Sequence, residues 1–203
     1  MDNKISASGN NLFPLFLKLE NFRLLIIGGG NVALEKLIAV LSNSPQTLIQ
    51  LISLEISDEI RQLAEHYTTL TIVQKEYQPS DLDNADIIIA AVNNIETATR
   101  ISKDARQKNK LINVADKPEL CDFYLGSIVQ KGSLKIAIST NGKSPTIAKR
   151  LKEFIADILP DELETVLEHI QQYRNTIKGD MAEKVKQLNA LTKELVYKKK
   201  STE

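Results

Sequence analysis

The sequence contains Arg23-Leu-Leu-Ile-Ile-Gly-Gly-Gly-Asn-Val-Ala-Leu-Glu-Lys36, and the fold can be worked out from this stretch. A short apolar run ends in three glycines, and apolar side chains then recur at helical spacing over residues 31–41. This order predicts a buried strand, a tight turn and a helix. Gly28, Gly30 and Ala33 fit the G-x-G-x-x-G/A pattern, in which the second glycine lets the backbone approach a pyrophosphate. The N–H groups at the start of the helix would then face the phosphates.

Strand and helix patterns alternate beyond this stretch. This alternation supports a dinucleotide site, because a Gly-rich turn by itself does not establish that a ligand binds. Apolar runs predict strands at residues 47–52, 70–73, 86–92 and 111–114, and helical patterns lie at 57–67 and 95–108. Residues 12–19 are rich in Phe and Leu and predict a further strand beside the first one. The sequence therefore predicts a Rossmann-like, doubly wound α/β domain over residues 12–115, with ligands at the carboxyl ends of its parallel strands.

The composition is that of an ordinary globular chain with balanced charge. Of 203 residues, 42% are apolar and 26% are charged, and Lys plus Arg equal Asp plus Glu at 26 each. We therefore expect no nucleic-acid or anionic-membrane partner. The single cysteine, Cys121, fits a reducing compartment, and no apolar run approaches the roughly 18 residues needed to cross a bilayer. Residues 1–11 are polar, unlike a signal peptide, and predict a disordered leader of a cytoplasmic protein.

The alternation of strand and helix ends after residue 115. Apolar runs at 123–129 and 134–139, joined by a Gly-containing turn, predict a β-hairpin within a dimerisation region at 116–143. Residues 144–203 predict a helical domain, which begins with Ser144 as N-cap and Pro145 at the first helical position. Its apolar stripes are followed by basic residues 198–200. Because one hairpin offers these helices little sheet to pack on, we expect a homodimer that buries the stripes.

Polar side chains follow two of the predicted strands. Ser53, Leu54 and Glu55 lie at the end of the second strand, beside the adenosine half of an expected dinucleotide. Glu55 could hold a ribose 2′-hydroxyl or be a solvated loop carboxylate, and the sequence is compatible with both. No Arg follows at once to hold a 2′-phosphate, which favours NAD over NADP. Asn93, after the run at 86–92, can reach a cofactor or cap the next helix.

Asp116 is the leading candidate for catalysis. It comes just after the strand at 111–114, at the edge where a nicotinamide would lie, and Pro118 restrains the backbone nearby. A carboxylate partly withdrawn from water there could accept the proton that is released when hydride leaves a substrate. Asp116 could also be only a turn former. Asp122 is a second candidate of lower rank.

The segment Asn141-Gly-Lys-Ser-Pro145 combines a flexible glycine, a cation and a helix N-terminus, and Lys149 follows on the helix. Such groups can hold carboxylates or phosphate, although an ordinary loop and cap with solvated charges has the same composition. His66 and His169 lie far apart in the sequence, and with a single cysteine no metal site is predicted.

Three stretches together resemble the precorrin-2 dehydrogenase family, which includes the amino-terminal module of siroheme synthases. They are the Gly-rich stretch, Asn113-Val-Ala-Asp-Lys-Pro-Glu-Leu-Cys-Asp-Phe123, and Ile136-Ala-Ile-Ser-Thr-Asn-Gly-Lys-Ser-Pro145. The resemblance spans residues 12–159 in one register. It implies NAD-dependent oxidation of precorrin-2 to sirohydrochlorin, the step before iron insertion into siroheme. It also implies a homodimer formed through the region after the Rossmann domain.

The resemblance assigns roles by position. Asp116 matches the catalytic aspartate of the family, and Ser144 matches a Ser-Pro element on the tetrapyrrole side. The NAD contacts of the family match Asn31, Val32, Ser53 and Leu54, which join Gly28, Gly29, Gly30 and Asn93 as predicted cofactor-binding residues. The acetate and propionate arms of a tetrapyrrole need cations and helix ends, which can be provided across a dimer cleft by Lys117, Lys143, Ser144 and Lys149.

The chain departs from the family pattern at three positions. Asn31 stands where an acidic residue is common, Ala115 where Val is common, and Asn141 where a small residue is common. Two alternatives to a simple dehydrogenase also fit the sequence. Some family members insert iron into sirohydrochlorin, a ferrochelatase activity that would use the same Asp116. A non-catalytic redox sensor, in which NAD binding is reported through the dimer helices, is the second.

Overall fold

The computed structural model describes residues 9–177 and 180–192. The chain divides into two compact units, Met1–Leu125 and Gly126–Glu203. Three sequence features lie outside the described residues. They are the first eight residues of the predicted leader, Gly179, at which the second apolar stripe of the predicted helical domain ends, and the basic residues 198–200. In the described part of the chain, no helix has both the length and the apolar character needed to span a bilayer.

The first unit is built on a five-stranded parallel sheet with the order β3-β2-β1-β4-β5. Its strands are β1 (Arg23–Ile27), β2 (Leu48–Ser53), β3 (Leu70–Gln74), β4 (Ile87–Ala90) and β5 (Leu111–Val114). Its helices are α1 (Asn31–Asn43), α2 (Asp58–His66) and α3 (Ile95–Gln107). The order reverses between β1 and β4, and doubly wound sheets bind ligands at such a switch point. The predicted Rossmann-like fold is confirmed.

Both faces of this sheet are covered, which explains the continuous apolar runs of its central strands. On one face, Leu24 and Ile26 of β1 belong to a buried cluster with α1 and α2. On the other face, Leu25 and Ile27 of the same strand belong to a cluster with α3. Because successive side chains of a strand point to opposite faces, a strand buried on both sides has no polar positions to alternate with.

The strand predicted at residues 12–19 is wrong. Residues 12–18 form no regular element, and a short 3-10 helix, Leu19–Asn21, leads into β1. The backbone of β1 is paired with β2 on one side and with β4 on the other, so no edge is left for another strand. Phe13 and Phe16 stay exposed, at 84% and 68%. Pro14, which lacks an N–H group, also weakens a strand here.

The second unit combines an antiparallel hairpin with helices. The hairpin strands are β6 (Ser127–Lys131) and β7 (Leu134–Ile138), and the helices are α4 (Pro145–Ile158), α5 (Leu163–Thr176) and α6 (Met181–Thr192). Lys131 Nζ donates to the Leu159 carbonyl (2.6 Å) at the end of α4, and to Asp161 (2.7 Å). Glu164 of α5 accepts hydrogen bonds from the N–H and O–H groups of Ser133, in the hairpin turn. The hairpin is therefore fastened to the helices at its turn.

The first hairpin strand begins later than the sequence predicts. The apolar pattern predicts it from residue 123, but β6 starts at Ser127. Residues 122 and 123 are hydrogen-bonded to β5, since the Asp122 N–H donates to the Ile112 carbonyl (2.7 Å) and Asn113 Nδ2 donates to the Phe123 carbonyl (2.8 Å). Apolar content alone does not reveal that these residues are used by the first unit.

Candidate active site

Two of the three glycines after β1 are required by the fold itself. Gly28 has a φ of 126°, and a Cβ atom added there would lie 2.2 Å from the Ala91 carbonyl oxygen. A Cβ atom on Gly29 would lie 2.1 Å from the Glu55 carbonyl oxygen. Any side chain would therefore force apart the loops that follow β2 and β4. These glycines set the geometry of the turn.

Gly30 is different, because neither conformation nor packing requires a glycine there. Its φ is −97°, which any residue can adopt, and an added Cβ atom would meet nothing within 4 Å. The residue is also exposed. The missing side chain thus leaves open space beside the start of α1, where the G-x-G-x-x-G/A pattern expects a pyrophosphate.

The start of α1 has free capacity to bind an anion. Gly30 is the N-cap and provides no side-chain hydrogen bond, and the first turn holds no acidic residue. By contrast, side chains cap the helices α2, α3 and α4 through Ser57, Asn94 and Ser144. The first bond within α1 runs from the Leu34 N–H to the Gly30 carbonyl (3.0 Å), so the three preceding N–H groups have no helical acceptor. The open space and these donors fit the diphosphate of a dinucleotide.

The predicted cofactor residues gather at the carboxyl edge of the sheet. Ile27 is level with Ile52 and Ala90, which places Gly28 at the same edge as Ser53, the last residue of β2. Leu54 is 62% exposed, and Asn31 and Asn93 are exposed as well. Val32 follows in the first turn of α1. Asn94, rather than Asn93, caps α3 by accepting from the Thr97 N–H (2.8 Å).

A cation, Arg61, approaches the end of β2 through Gln74, which the sequence pattern did not indicate. Gln74 Nε2 donates to the Leu54 carbonyl (2.9 Å), and Arg61 Nη2 donates to Gln74 Oε1 (2.8 Å). Arg61 lies on α2, several residues after the end of β2, where an Arg that binds the 2′-phosphate of NADP would be expected in the sequence. The fold brings Arg61 near the end of β2. Glu55 is exposed at the same strand end. Both a carboxylate and a guanidinium are therefore close to the expected adenosine position.

Asp116 lies on a tight turn at the same edge of the sheet. Ala90 is level with Val114, and the Ala115 N–H donates to the Ala90 carbonyl (2.9 Å), so the turn begins directly past β5. Since β5 is two strands away from β1, the lateral separation is about 10 Å. The Lys117 N–H donates to the Val114 carbonyl (3.3 Å), and Asp116 has a φ of 59°. Positive φ at the third position of a turn favours Gly or Asn, so an Asp there is strained.

The Asp116 side chain is exposed, which corrects the expectation of a carboxylate partly withdrawn from water. The lower-ranked Asp122 is already used by the fold. Its Oδ2 accepts from the Ile112 N–H (3.2 Å), and its Oδ1 accepts from the Arg106 guanidinium (3.2 Å). A carboxylate with both oxygens engaged in this way is poorly suited to accept a substrate proton. Of the two candidates, the geometry favours Asp116.

The predicted substrate residues are divided between the two units. Lys117 follows Asp116 in the first unit. In the second unit, Ser144 Oγ accepts from the Ile147 N–H (3.2 Å) and so caps α4, while Lys143 and Lys149 are exposed. Thr140 Oγ1 accepts from the Ser144 N–H (3.1 Å), which fixes the loop before the helix. Within the described ranges, no three His, Cys, Asp or Glu side chains converge to hold a metal ion.

Comparison with known proteins extends these observations. A family model of putative NAD(P)-binding domains matches residues 15–127, which is more than half of the chain. A second model, the central region of sirohaem biosynthesis proteins, matches residues 131–158. The siroheme synthase of Psychrobacter arcticus is 33% identical over 169 residues, and that of Psychrobacter sp. PRwf-1 is 34% identical over 180 residues. These alignments cover 83% and 87% of this chain but only 30% and 34% of the relatives.

The chain thus spans about a third of the length of these curated relatives. Its fold is similar to that of a solved structure, SirC, precorrin-2 dehydrogenase, with a TM-score of 0.69, 22% identity and coverage of 89% of each chain. The NAD(P)-binding match includes both the Gly-rich turn and the open start of α1, so sequence and geometry indicate the same kind of site. The predicted likeness to siroheme synthases is confirmed, and the likeness to precorrin-2 dehydrogenase is one of fold. The chain therefore belongs to the putative NAD(P)-binding family, joined to the central region of sirohaem biosynthesis proteins.

Proposed function

We propose that this chain catalyses the NAD-dependent dehydrogenation of precorrin-2 to sirohydrochlorin. The observation that carries the proposal is the pairing of two features at one edge of the sheet. One is the open, uncapped start of α1 beside Gly30, and the other is the strained turn that presents Asp116. The siroheme synthase relatives and the precorrin-2 dehydrogenase of similar fold support the choice of substrate.

The reaction removes two hydrogen atoms from the tetrapyrrole, that is, two electrons and two protons. A bound nicotinamide would supply the acceptor for one hydrogen, which leaves a ring carbon as hydride. The second hydrogen leaves as a proton, and we assign its acceptance to the Asp116 carboxylate. Because that carboxylate is exposed, it can pass the proton to water between turnovers. The atoms balance as sirohydrochlorin, NADH and one proton.

The cofactor roles are distributed along the carboxyl edge. The N–H groups of Asn31 and Val32 would hold the diphosphate in the space that Gly28, Gly29 and Gly30 leave. Ser53 and Leu54 would contact the adenosine half at the end of β2, and Asn93 would contact the cofactor past β4. Arg61 lies near the same strand end as Glu55, so the preference for NAD over NADP is worth direct measurement.

The substrate carries several carboxylate arms, which need cations and N–H donors. We assign this role to Lys117, Lys143, Ser144 and Lys149. Lys143 and Lys149 are exposed, and the first turn of α4 holds no acidic residue, so the helix dipole adds a partial positive charge near Ser144. Ser144 would act mainly by fixing this helix start, because its hydroxyl already accepts from the Ile147 N–H.

We further propose that two copies associate through the second unit. Ile147, Leu151, Phe154 and Ile158 follow one another at helical spacing on α4, and each is more than 40% exposed. A two-stranded hairpin offers free edges and is marginal by itself. A second copy would present the same apolar stripe, and a two-fold axis would let the stripes bury each other. We also propose a cytoplasmic location, where a reducing environment keeps Cys121 a thiol.

The experiment is an anaerobic assay with purified protein, precorrin-2 and either NAD⁺ or NADP⁺. We expect NADH to form in proportion to sirohydrochlorin, with NAD⁺ preferred over NADP⁺. Tight binding of NAD⁺ without any reduction in the presence of precorrin-2 would contradict the proposal and would indicate a sensor. Adding Co²⁺ or Fe²⁺ to the completed reaction, and following the tetrapyrrole spectrum, tests the same preparation for metal insertion.

A further inference from the structure

The turn that carries Asp116 follows β5, which lies at one edge of the sheet. An edge strand has backbone groups that no neighbouring strand can pair. In this structure, residues that follow the turn form hydrogen bonds with these backbone groups. The Asp122 N–H donates to the Ile112 carbonyl (2.7 Å), and Asp122 Oδ2 accepts from the Ile112 N–H (3.2 Å). Asn113, which is buried, donates from Nδ2 to the Phe123 carbonyl (2.8 Å).

The Cys121 side chain contacts both end residues of the same turn. Its Sγ accepts from the Val114 N–H (3.1 Å) and lies within reach of two carbonyls, those of Val114 (3.2 Å) and Lys117 (3.3 Å). Val114 and Lys117 are the first and last residues of the turn. Burial raises the pKa of the Cys121 thiol, so the sulfur keeps its hydrogen at neutral pH and can donate it to either carbonyl.

Asp116 needs such support because its backbone has a φ of 59°. A non-glycine residue in this left-handed region is less stable there than in the common backbone conformations. Strained residues of this kind persist only where their surroundings fix them, and they are common at active sites. The turn has one bond of its own, the long contact of 3.3 Å between the Lys117 N–H and the Val114 carbonyl. The Ala115 N–H also donates to the Ala90 carbonyl of β4 (2.9 Å), and the Cys121 sulfur contacts both end residues of the turn.

We propose that Asn113, Cys121 and Asp122 are positioning residues, a clamp that holds the Asp116 carboxylate where the substrate proton is released. The inference rests on the proposed function of Asp116. Without the clamp, the turn would relax towards conformations in which the carboxylate points elsewhere. Rates are sensitive to such displacement, because a shift of about 1 Å can cost on the order of 100-fold in turnover. Cofactor binding at Gly30, about two strands away, would not change.

The test begins with Cys121→Ala and Cys121→Ser in the full chain. For Cys121→Ala we expect kcat to fall by about 10- to 100-fold, with an unchanged Kd for NAD⁺. Cys121→Ser retains a donor and acceptor at nearly the same place and should recover most of that loss. Ser102→Ala is the matched control, since Ser102 Oγ donates to the Leu120 carbonyl (3.2 Å) in the same loop but does not contact the turn. We expect it to leave kcat unchanged.

A double-mutant cycle separates positioning from general stability. In an Asp116→Asn background, Cys121→Ala should still lower the melting temperature but should cause no further loss of kcat, because the group that it positions is gone. If Cys121→Ala does not fold, Cys121→Val, which fills the volume without hydrogen bonding, replaces it with the same expectations.

Two results would overturn the clamp. One is a kcat for Cys121→Ala within about twofold of the wild-type value, and the other is an equal further loss in the Asp116→Asn background. Both would leave the proposed function intact if Asp116→Asn alone is slow. Full turnover by Asp116→Asn would instead reject the catalytic role of Asp116, and the clamp with it.

Discussion

Gly28 and Gly30 stand two positions apart, but their missing side chains serve different purposes. At Gly28 a side chain would collide with the Ala91 carbonyl, and the backbone has a φ of 126°. At Gly30 a side chain would meet only open space, and the backbone is extended, as an N-cap requires. The first glycine therefore supports the fold, whereas the second leaves room for a ligand.

This difference predicts opposite outcomes for one substitution at the two positions. Gly28→Ser should lower the free energy of unfolding by about 3 kcal/mol, because it combines backbone strain with a collision. Gly30→Ser should change it by only a few tenths of a kcal/mol, since Ser is a good N-cap residue. The new hydroxyl would, however, occupy the N–H groups of α1, and we expect NAD⁺ affinity to fall about tenfold. Urea unfolding measures the free energy of unfolding, and calorimetric titration measures the affinity for NAD⁺. Unchanged NAD⁺ affinity in Gly30→Ser would contradict the assigned cofactor site.

Asp116 should show a conflict between stability and activity. Replacement by Gly removes the left-handed strain, so Asp116→Gly should raise the free energy of unfolding by up to about 1 kcal/mol. The variant loses the carboxylate, and turnover should fall by at least about 100-fold. Unfolding curves and steady-state rates on the same preparation test the two effects together. Glycine adds backbone entropy to the unfolded chain, which costs up to about 1 kcal/mol. A loss of stability larger than this in Asp116→Gly would show that the φ of 59° is not a source of strain.

At the level of elements, the sequence predicts the parallel strands well because burial on both faces leaves a continuous apolar run. β5 lies at the predicted residues, and β4 lies within its predicted run. The same criterion fails at residues 12–19, since apolar content does not reveal whether a sheet edge is free. It also fails at residues 123–126, because the Asn113 side chain binds the Phe123 carbonyl and the preceding Asp122 binds the Ile112 N–H, so the start of that segment is held against β5. These contacts join side chains to backbone groups of another element, which the apolar pattern of the segment does not indicate.

One ion pair fastens the starts of two central strands. The Arg23 N–H at the start of β1 donates to Asp86 Oδ2 (2.8 Å), just before β4, and the Arg23 guanidinium adds a longer contact (3.4 Å). The backbone hydrogen bond and then the side-chain bond from Arg23 hold the pKa of Asp86 below its usual value of 3.8. A lowered pKa means that the ionised form is favoured in the folded state. The stabilisation is present above pH 3.8 and is lost as the pH falls through the lower folded value.

Asp86→Ala should therefore be less stable than the wild type at neutral pH. The difference should stay constant between pH 6 and pH 8 and should shrink only as the pH falls below about 4. Urea unfolding across this range measures the difference. A gap that widens in acid would contradict the lowered pKa of Asp86.

For the whole molecule, the exposed stripe on α4 predicts the assembly state. Phe154 is 61% exposed in a single chain, so Phe154→Lys should not disturb the fold but should place a charge in the proposed interface. We expect the wild type to sediment as a dimer and the variant as a monomer at micromolar concentration. Lys152→Ala, a change at an exposed polar position on the same helix, should remain dimeric. A monomeric wild type would remove the proposed interface.

The site itself could be predicted only in part. The Gly-rich stretch predicts a site for a diphosphate, because strand, turn and helix are encoded within 14 consecutive residues, from Arg23 to Lys36. Asp116 could be identified by its place after a strand. The exposure of its side chain, its strained backbone and the approach of Arg61 to the end of β2 could not be predicted. Each depends on how the folded chain places side chains against backbone groups outside their own element, such as Cys121 against Val114 or Gln74 against Leu54.

The most direct test compares wild-type protein with Asp116→Asn for NADH formation from precorrin-2 and NAD⁺ under anaerobic conditions. We expect both proteins to bind NAD⁺ equally, the wild type to convert precorrin-2 to sirohydrochlorin with one NADH per product, and the variant to be slower by at least about 100-fold. Equal rates for the two proteins, or no NADH from the wild type, would contradict the proposed role of Asp116 in NAD-dependent dehydrogenation.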